Sequence, residues 1–184
     1  MTGRDPAQRR RVILLINGPF GVGKTTVARI LVGRLRRAVL FDPEHVGWWL
    51  RLAGSQHTDF QDDPRWPGHV VKTARVMRVF GRTLVMPITL WRSERFKAIV
   101  QGLKEFAPTF AFRLTAEEPE LRRRIDGDLK QPGARTWRLQ HLRPVLDAFS
   151  AGDFGVELST DGVTAEQVAT QIESAAKRSV QIRD

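Results

Sequence analysis

The chain has 184 residues, 41% of them apolar, which suits one domain with a full core. It contains no cysteine, so disulfides, thiolate metal sites and cysteine nucleophiles are excluded. Lysine and arginine number 30 against 20 acids, a formal net charge of +10 that suits anionic partners such as nucleotides, and no run reaches the ~18 apolar residues of a membrane span.

Residues 1–10 read as a loose, basic tail. A strand follows directly, which is not the pattern of a secretory signal, so a cytoplasmic location is expected. That strand is Val12–Asn17, an apolar run. Gly18-Pro-Phe-Gly-Val-Gly-Lys-Thr25 comes next and matches G-x-x-x-x-G-K-[ST], the phosphate-binding loop. Val27, Ile30, Leu31 and Leu35 then recur at helical spacing, predicting a helix over Lys24–Leu35. The motif therefore sits between a strand and a helix, the context its chemistry requires. Glycines let successive N–H groups turn onto phosphate oxygens, and the helix aims its positive end at the same anion. Gly18, Pro19, Phe20, Gly21, Val22, Gly23, Lys24, Thr25 and Thr26 are the expected nucleotide-binding residues. Lys24 supplies a point charge for the β- and γ-phosphates, and Thr25 offers a hydroxyl to Mg²⁺.

Ala38–Asp42 reads as a second strand ending in an acid, and Pro43 opens a helix with Asp42 as its N-cap. Gly54–Pro67 is polar and reads as a loop with a short turn, which places Trp66 on the expected acceptor side of the cleft. His69–Phe80 is helical, Thr83–Pro87 a buried strand, Arg95–Phe106 a helix and Thr109–Thr115 a strand. Glu117–Ile125 and Arg135–Phe149 are helical, separated by the polar turn Asp126–Gly133, and together residues 117–148 form a lid-like segment. Phe154–Ser159 is the fifth strand and Thr164–Lys177 the closing helix. The alternation predicts a single α/β domain, a parallel sheet with helices on both faces. Functional groups then belong at the carboxyl ends of the strands.

A phosphate loop alone does not name a reaction. Asn-Lys-x-Asp and Asp-x-x-Gly are absent, against a GTPase. The third strand ends Met86-Pro87-Ile88-Thr89 rather than in an acid, against a motor ATPase. An acid lies instead at Asp42, where it can accept a proton from an acceptor hydroxyl or orient a Mg²⁺-bound water. Arg122, Arg123 and Arg124, then Arg135 and Arg138, flank the lid turn. Consecutive helical residues do not share a face, so Arg124 with Arg135 or Arg138 is expected over the transferring phosphoryl group. Trp49, Trp91 and Arg92 are the expected acceptor-side residues, the rings for stacking or apolar contact. His45 and His69 lack partners at metal-ligand spacing. No nucleic-acid motif accompanies the charge, so nucleic acid is not expected as a partner, and the oligomeric state is left open.

The runs Asn17-Gly-Pro-Phe-Gly-Val-Gly-Lys-Thr25, Phe41-Asp-Pro-Glu-His-Val-Gly47 and Val85-Met-Pro-Ile-Thr89, with Phe112-Arg-Leu-Thr115 and Arg122–Arg124, resemble the tunicamycin-resistance ATP-binding proteins over about residues 12–175. The resemblance implies a three-layer, nucleotide-kinase-like fold with strand order 2-3-1-4-5, binding of ATP with Mg²⁺ at Gly18–Thr25, and a tunicamycin-like nucleoside antibiotic as partner. Two activities stay open under it: phosphorylation of the compound, or ATP-dependent sequestration without transfer. Family members can continue past the last helix with a basic amphipathic segment linked to membrane association. This chain stops at Asp184, which counts against membrane association here.

Overall fold

The computed structural model describes residues 12–52, 54, 57, 59–79, 83–129 and 132–181; the reading of 1–10 as a tail lies outside them. The elements are β1 (Ile13–Asn17), α1 (Lys24–Arg34), β2 (Ala38–Leu40), α2 (Pro43–Leu52), α3 (Trp66–Val79), β3 (Thr83–Pro87), α4 (Ser93–Lys104), β4 (Thr109–Thr115), α5 (Glu118–Asp126), α6 (Arg135–Ala151), β5 (Val156–Ser159) and α7 (Ala165–Gln181). All pairings are parallel and the order is β2-β3-β1-β4-β5, as the family resemblance implied. In the central register Leu15 lies between Met86 and Ala111.

The central strands are covered on both faces: β1 and β3 are buried at every position rather than at alternate ones. Successive side chains point to opposite faces. Ile13, Leu15, Leu84 and Met86 pack with Val70 and Ala74 of α3 and Ile99 and Leu103 of α4. Leu14, Ile16 and Val85 pack on the other side with Leu31 of α1 and Ile172 of α7. No helix among the described residues is long and apolar enough to cross a membrane.

One connection differs from the sequence reading. The expected short turn within Gly54–Pro67 is a 3-10 turn at Phe60–Asp62, but α3, expected from His69, already begins at Trp66. Asp63 explains the early start. Its Oδ1 accepts the Arg65 N–H at 2.9 Å and its carbonyl accepts the Trp66 N–H, so it caps the helix. Pro67 then occupies the first turn, where no N–H is needed. Trp66 is consequently fully buried and donates from Nε1 to the Pro43 carbonyl at 3.2 Å. It ties α3 to α2 and is not an acceptor-side ring. α6 runs on through Pro144 without interruption.

Gly155 leads into β5 with φ of 100°, and a Cβ there would lie 2.3 Å from the Ala111 carbonyl oxygen. Gly155→Ala is expected to lower stability by roughly 2–4 kcal/mol, from left-handed strain plus the clash. The denaturation midpoint measures this, and an unchanged midpoint contradicts it.

Candidate active site

The carboxyl end of β1 leads into the loop Gly18–Gly23, from which α1 springs at Lys24. Gly21 has φ of 76° and lies under α5; a Cβ on it would sit 3.0 Å from the Leu121 carbonyl oxygen and the Ile125 side chain. Glycine alone fits that approach. Gly23 caps α1 in the left-handed region and brings no side-chain acceptor. The N–H groups of the first turn are therefore left to an outside anion, which is the fit a nucleotide phosphate needs. Thr25 and Thr26 are exposed at the same turn.

Lys24 folds back over its own loop and donates from Nζ to the Pro19 carbonyl at 2.7 Å. Loss of water around the part-buried ammonium lowers its pKa to about 7. Glu44 opposes the shift, Arg138 adds to it and Asp42 opposes it. Those causes map the centre: one lysine, two carboxylates and one arginine share it. Glu44 opens to solvent on one side while cleft walls crowd its carboxyl. That desolvation, then the Asp42 charge, raises its pKa, with Lys24, Arg138 and His45 pulling the other way. Asp42 lies two residues beyond β2 and its Oδ1 accepts the Glu44 N–H at 2.9 Å. It caps α2 and faces Lys24 at once. The donor set suits a hard cation bound mainly through substrate phosphates and water: Thr25, Asp42 and Glu44 offer oxygens, and no group of three or more acids and histidines among the described residues could hold a metal ion alone.

The arginines sort by partner. Arg138 reaches toward Lys24 while pairing with Asp128 at 2.9 Å. Arg135 turns to Asp126, its Nε donating at 2.8 Å. Arg124 is held on the far side of the loop, on Glu120 at 2.7 Å and on the Thr160 hydroxyl and carbonyl at 3.0 and 3.2 Å. Arg122 and Arg123 pair with Glu118 and Glu120 on the helix surface, contacts worth little.

On the acceptor side the aromatic residues divide. Trp91 meets Phe20 edge-on with centroids 6.3 Å apart. Phe20 meets Trp137 of α6 at 5.3 Å, and Trp137 stacks on His141 at 4.2 Å. Trp49 is elsewhere, 64% exposed on the wall of a cavity between α2 and α3. Arg92 pairs with Asp62 at 2.5 Å. Two buried amides hold the segment between β3 and α4 that carries Trp91 and Arg92. Asn17 donates to the Leu90 carbonyl and accepts the Leu90 and Gly18 N–H groups, each at 2.9 Å. Gln61 donates to the Thr89 carbonyl at 2.9 Å. Sequence reasoning missed Glu44, Trp137 and the clamp role of Asn17. The Asp-x-Glu spacing across the α2 cap was the one local signal for Glu44.

A family model described as an AAA domain matches residues 13–136. The tunicamycin resistance protein of Deinococcus radiodurans superposes with a TM-score of 0.68 at 31% identity, covering 90% of this chain and 95% of that one. The chain belongs to this P-loop, kinase-like family. The same fold recurs in the APS kinase of Mycobacterium tuberculosis, solved with AMPPNP and APS (TM-score 0.67, 16% identity, 90% of this chain and 96% of that one). It recurs again in a gluconokinase from Sinorhizobium meliloti (0.64, 14%, 94% of each). No curated protein sequence matches the chain significantly.

Proposed function

We propose that this protein is an ATP- and Mg²⁺-dependent kinase that phosphorylates a hydroxyl of a small nucleoside-like compound, tunicamycin or a relative. The observation that carries the reading is the convergence of Lys24, Asp42, Glu44 and Arg138 at the phosphate loop. The 31% identity to the Deinococcus protein supports the acceptor class. The loop amides of Gly18–Thr26 bind the phosphates, and Lys24 leaves the Pro19 carbonyl to meet the β- and γ-oxygens. Thr25, with Asp42 through water, would hold Mg²⁺, which supplies charge neutralisation between those oxygens. Asp42 positions or deprotonates the acceptor hydroxyl. Arg138 stabilises charge on the transferring group. Arg124 braces the loop from the Thr160 side, and Arg135 joins the centre on leaving Asp126. Trp91 and Arg92 on one flank and Trp49 on the other contact the acceptor.

Tunicamycin incubated with the protein, Mg²⁺ and ATP is expected to gain the mass of one phosphate, and Lys24→Ala to abolish the gain. Unmodified drug under saturating ATP would overturn the reading. ATP-dependent sequestration without transfer is the second reading, favoured by the Asp42 Oδ1 being engaged as a helix cap. Asp42→Asn keeps that cap oxygen and removes the base. Protection kept with turnover lost supports sequestration; loss of both supports catalysis.

A further inference from the structure

Among the described residues, Phe20 is the one half-buried apolar side chain that packs against both hydrophobic clusters, one on each face of the sheet. It belongs to the phosphate loop, yet its ring meets two other parts of the cleft. Trp91, between β3 and α4, lies edge-on with centroids 6.3 Å apart, and Trp137 of α6 lies at 5.3 Å, each at 69°. Both distances fall in the range where edge-to-face rings attract. Both tryptophans are backed. Trp137 stacks on His141, one turn on, at 4.2 Å, and His141 donates from Nδ1 to the Trp137 carbonyl at 2.8 Å. The backbone beside Trp91 is pinned, because Asn17 holds the Leu90 N–H and carbonyl. A movement of Phe20 is therefore passed to the two indoles rather than absorbed by the chain around them. The other end of this chain of contacts is Lys24. Its Nζ donates to the Pro19 carbonyl at 2.7 Å, and that carbonyl lies in the rigid peptide plane that joins Pro19 to Phe20. Phosphate oxygens compete with a neutral carbonyl for the ammonium, so a nucleotide that draws Lys24 away unpins the plane next to the Phe20 ring.

We propose that Phe20 is a positioning residue that couples the nucleotide site to the acceptor flank: occupancy of the phosphate loop turns the Pro19–Phe20 peptide and resets Trp91 and Trp137 through the Phe20 ring. By linkage, a ligand held against Trp91 changes nucleotide affinity by the same factor. The coupling rests on nucleotide binding at the loop, which the transfer and sequestration readings share, and it needs no phosphoryl transfer.

The full chain is labelled with 5-fluorotryptophan, its five tryptophan signals are assigned by Trp→Phe variants, and AMPPNP with Mg²⁺ is added to saturation as judged by calorimetry. The Trp91 and Trp137 signals are expected to move, and that of the fully buried Trp66 to stay. In Phe20→Leu, measured at the nucleotide concentration that saturates it, the Trp91 movement should be lost. Phe20→Tyr keeps the ring edge and should restore it. Trp91→Leu, outside the phosphate loop, should shift nucleotide affinity roughly two- to tenfold, and far less when Phe20→Leu is already present. Calorimetric binding with Trp91 unmoved, a Trp91 movement that persists in Phe20→Leu, a Trp66 movement as large as the others, or additive effects of the two leucine variants sinks the coupling alone. No nucleotide binding at all overturns the coupling and the kinase reading together.

Discussion

Lys24→Met is expected to weaken nucleotide binding by about two orders of magnitude or more and to raise the melting temperature near pH 7. The first effect follows from losing a charge-assisted contact to the phosphates, each worth roughly 1.5–3 kcal/mol. The second follows from the folded-state pKa of about 7, depressed chiefly by loss of water around the ammonium. Between pH ~7 and the ordinary lysine value of ~10.4 the unfolded chain binds one more proton than the folded one. The wild-type protein therefore gains stability as pH rises through that window, and its penalty is fully present only below it. Methionine keeps the stem without the charge, so the variant's advantage should be largest near pH 7 and shrink toward pH 10. Nucleotide binding reverses the depression, because phosphate oxygens favour the charged lysine. Titration calorimetry in phosphate and Tris buffers should then show uptake of close to one proton at pH 8 and about half a proton at pH 7, and none that Lys24→Met retains. Binding with no proton uptake at pH 8 would contradict the desolvated lysine.

What the sequence disclosed about this centre followed from contact range. The loop Gly18–Thr25 is a contiguous signal, and the alternation of apolar runs with helical spacing was enough for a parallel sheet covered on both faces. Asp42 was legible because a strand end and a helix cap coincide there. Glu44, two residues on, was passed over: its importance comes from lying opposite Lys24, 20 positions away in the chain. Arg138 and Arg135 were indistinguishable by spacing, and the choice between them is made by Asp126 and Asp128, which draw each guanidinium to a different place. Trp66 misled because a polar, proline-rich stretch hid an aspartate cap, although Asp63 and Pro67 spell a helix start once read together. Trp137 gave no local signal at all; its partner Phe20 is on the phosphate loop.

Asn17 ties three backbone groups of the site together, and Asn17→Leu is expected to lower the melting temperature by about 10 °C or more. The side chain is fully buried. It serves the Leu90 N–H, the Leu90 carbonyl and the Gly18 N–H at once, and leucine would strand all three. Each buried group left unpaired costs about 1–3 kcal/mol, and at ~2–4 °C per kcal/mol the total comes to that shift. Asn17→Asp should be no milder, since it keeps the acceptor but loses the donor to the Leu90 carbonyl and places a charge in the core. Function separates this clamp from a plain core residue. Asn17 joins the start of the phosphate loop to the segment that presents Trp91 and Arg92, so its loss should raise KM for both nucleotide and acceptor. Gln61→Leu, which releases only the Thr89 carbonyl of that segment, should raise KM for the acceptor and leave nucleotide affinity near wild type. Both variants are assayed well below their melting temperatures. Equal changes in the two KM values for both variants would mean that the segment between β3 and α4 is held by the fold at large and not by these two amides.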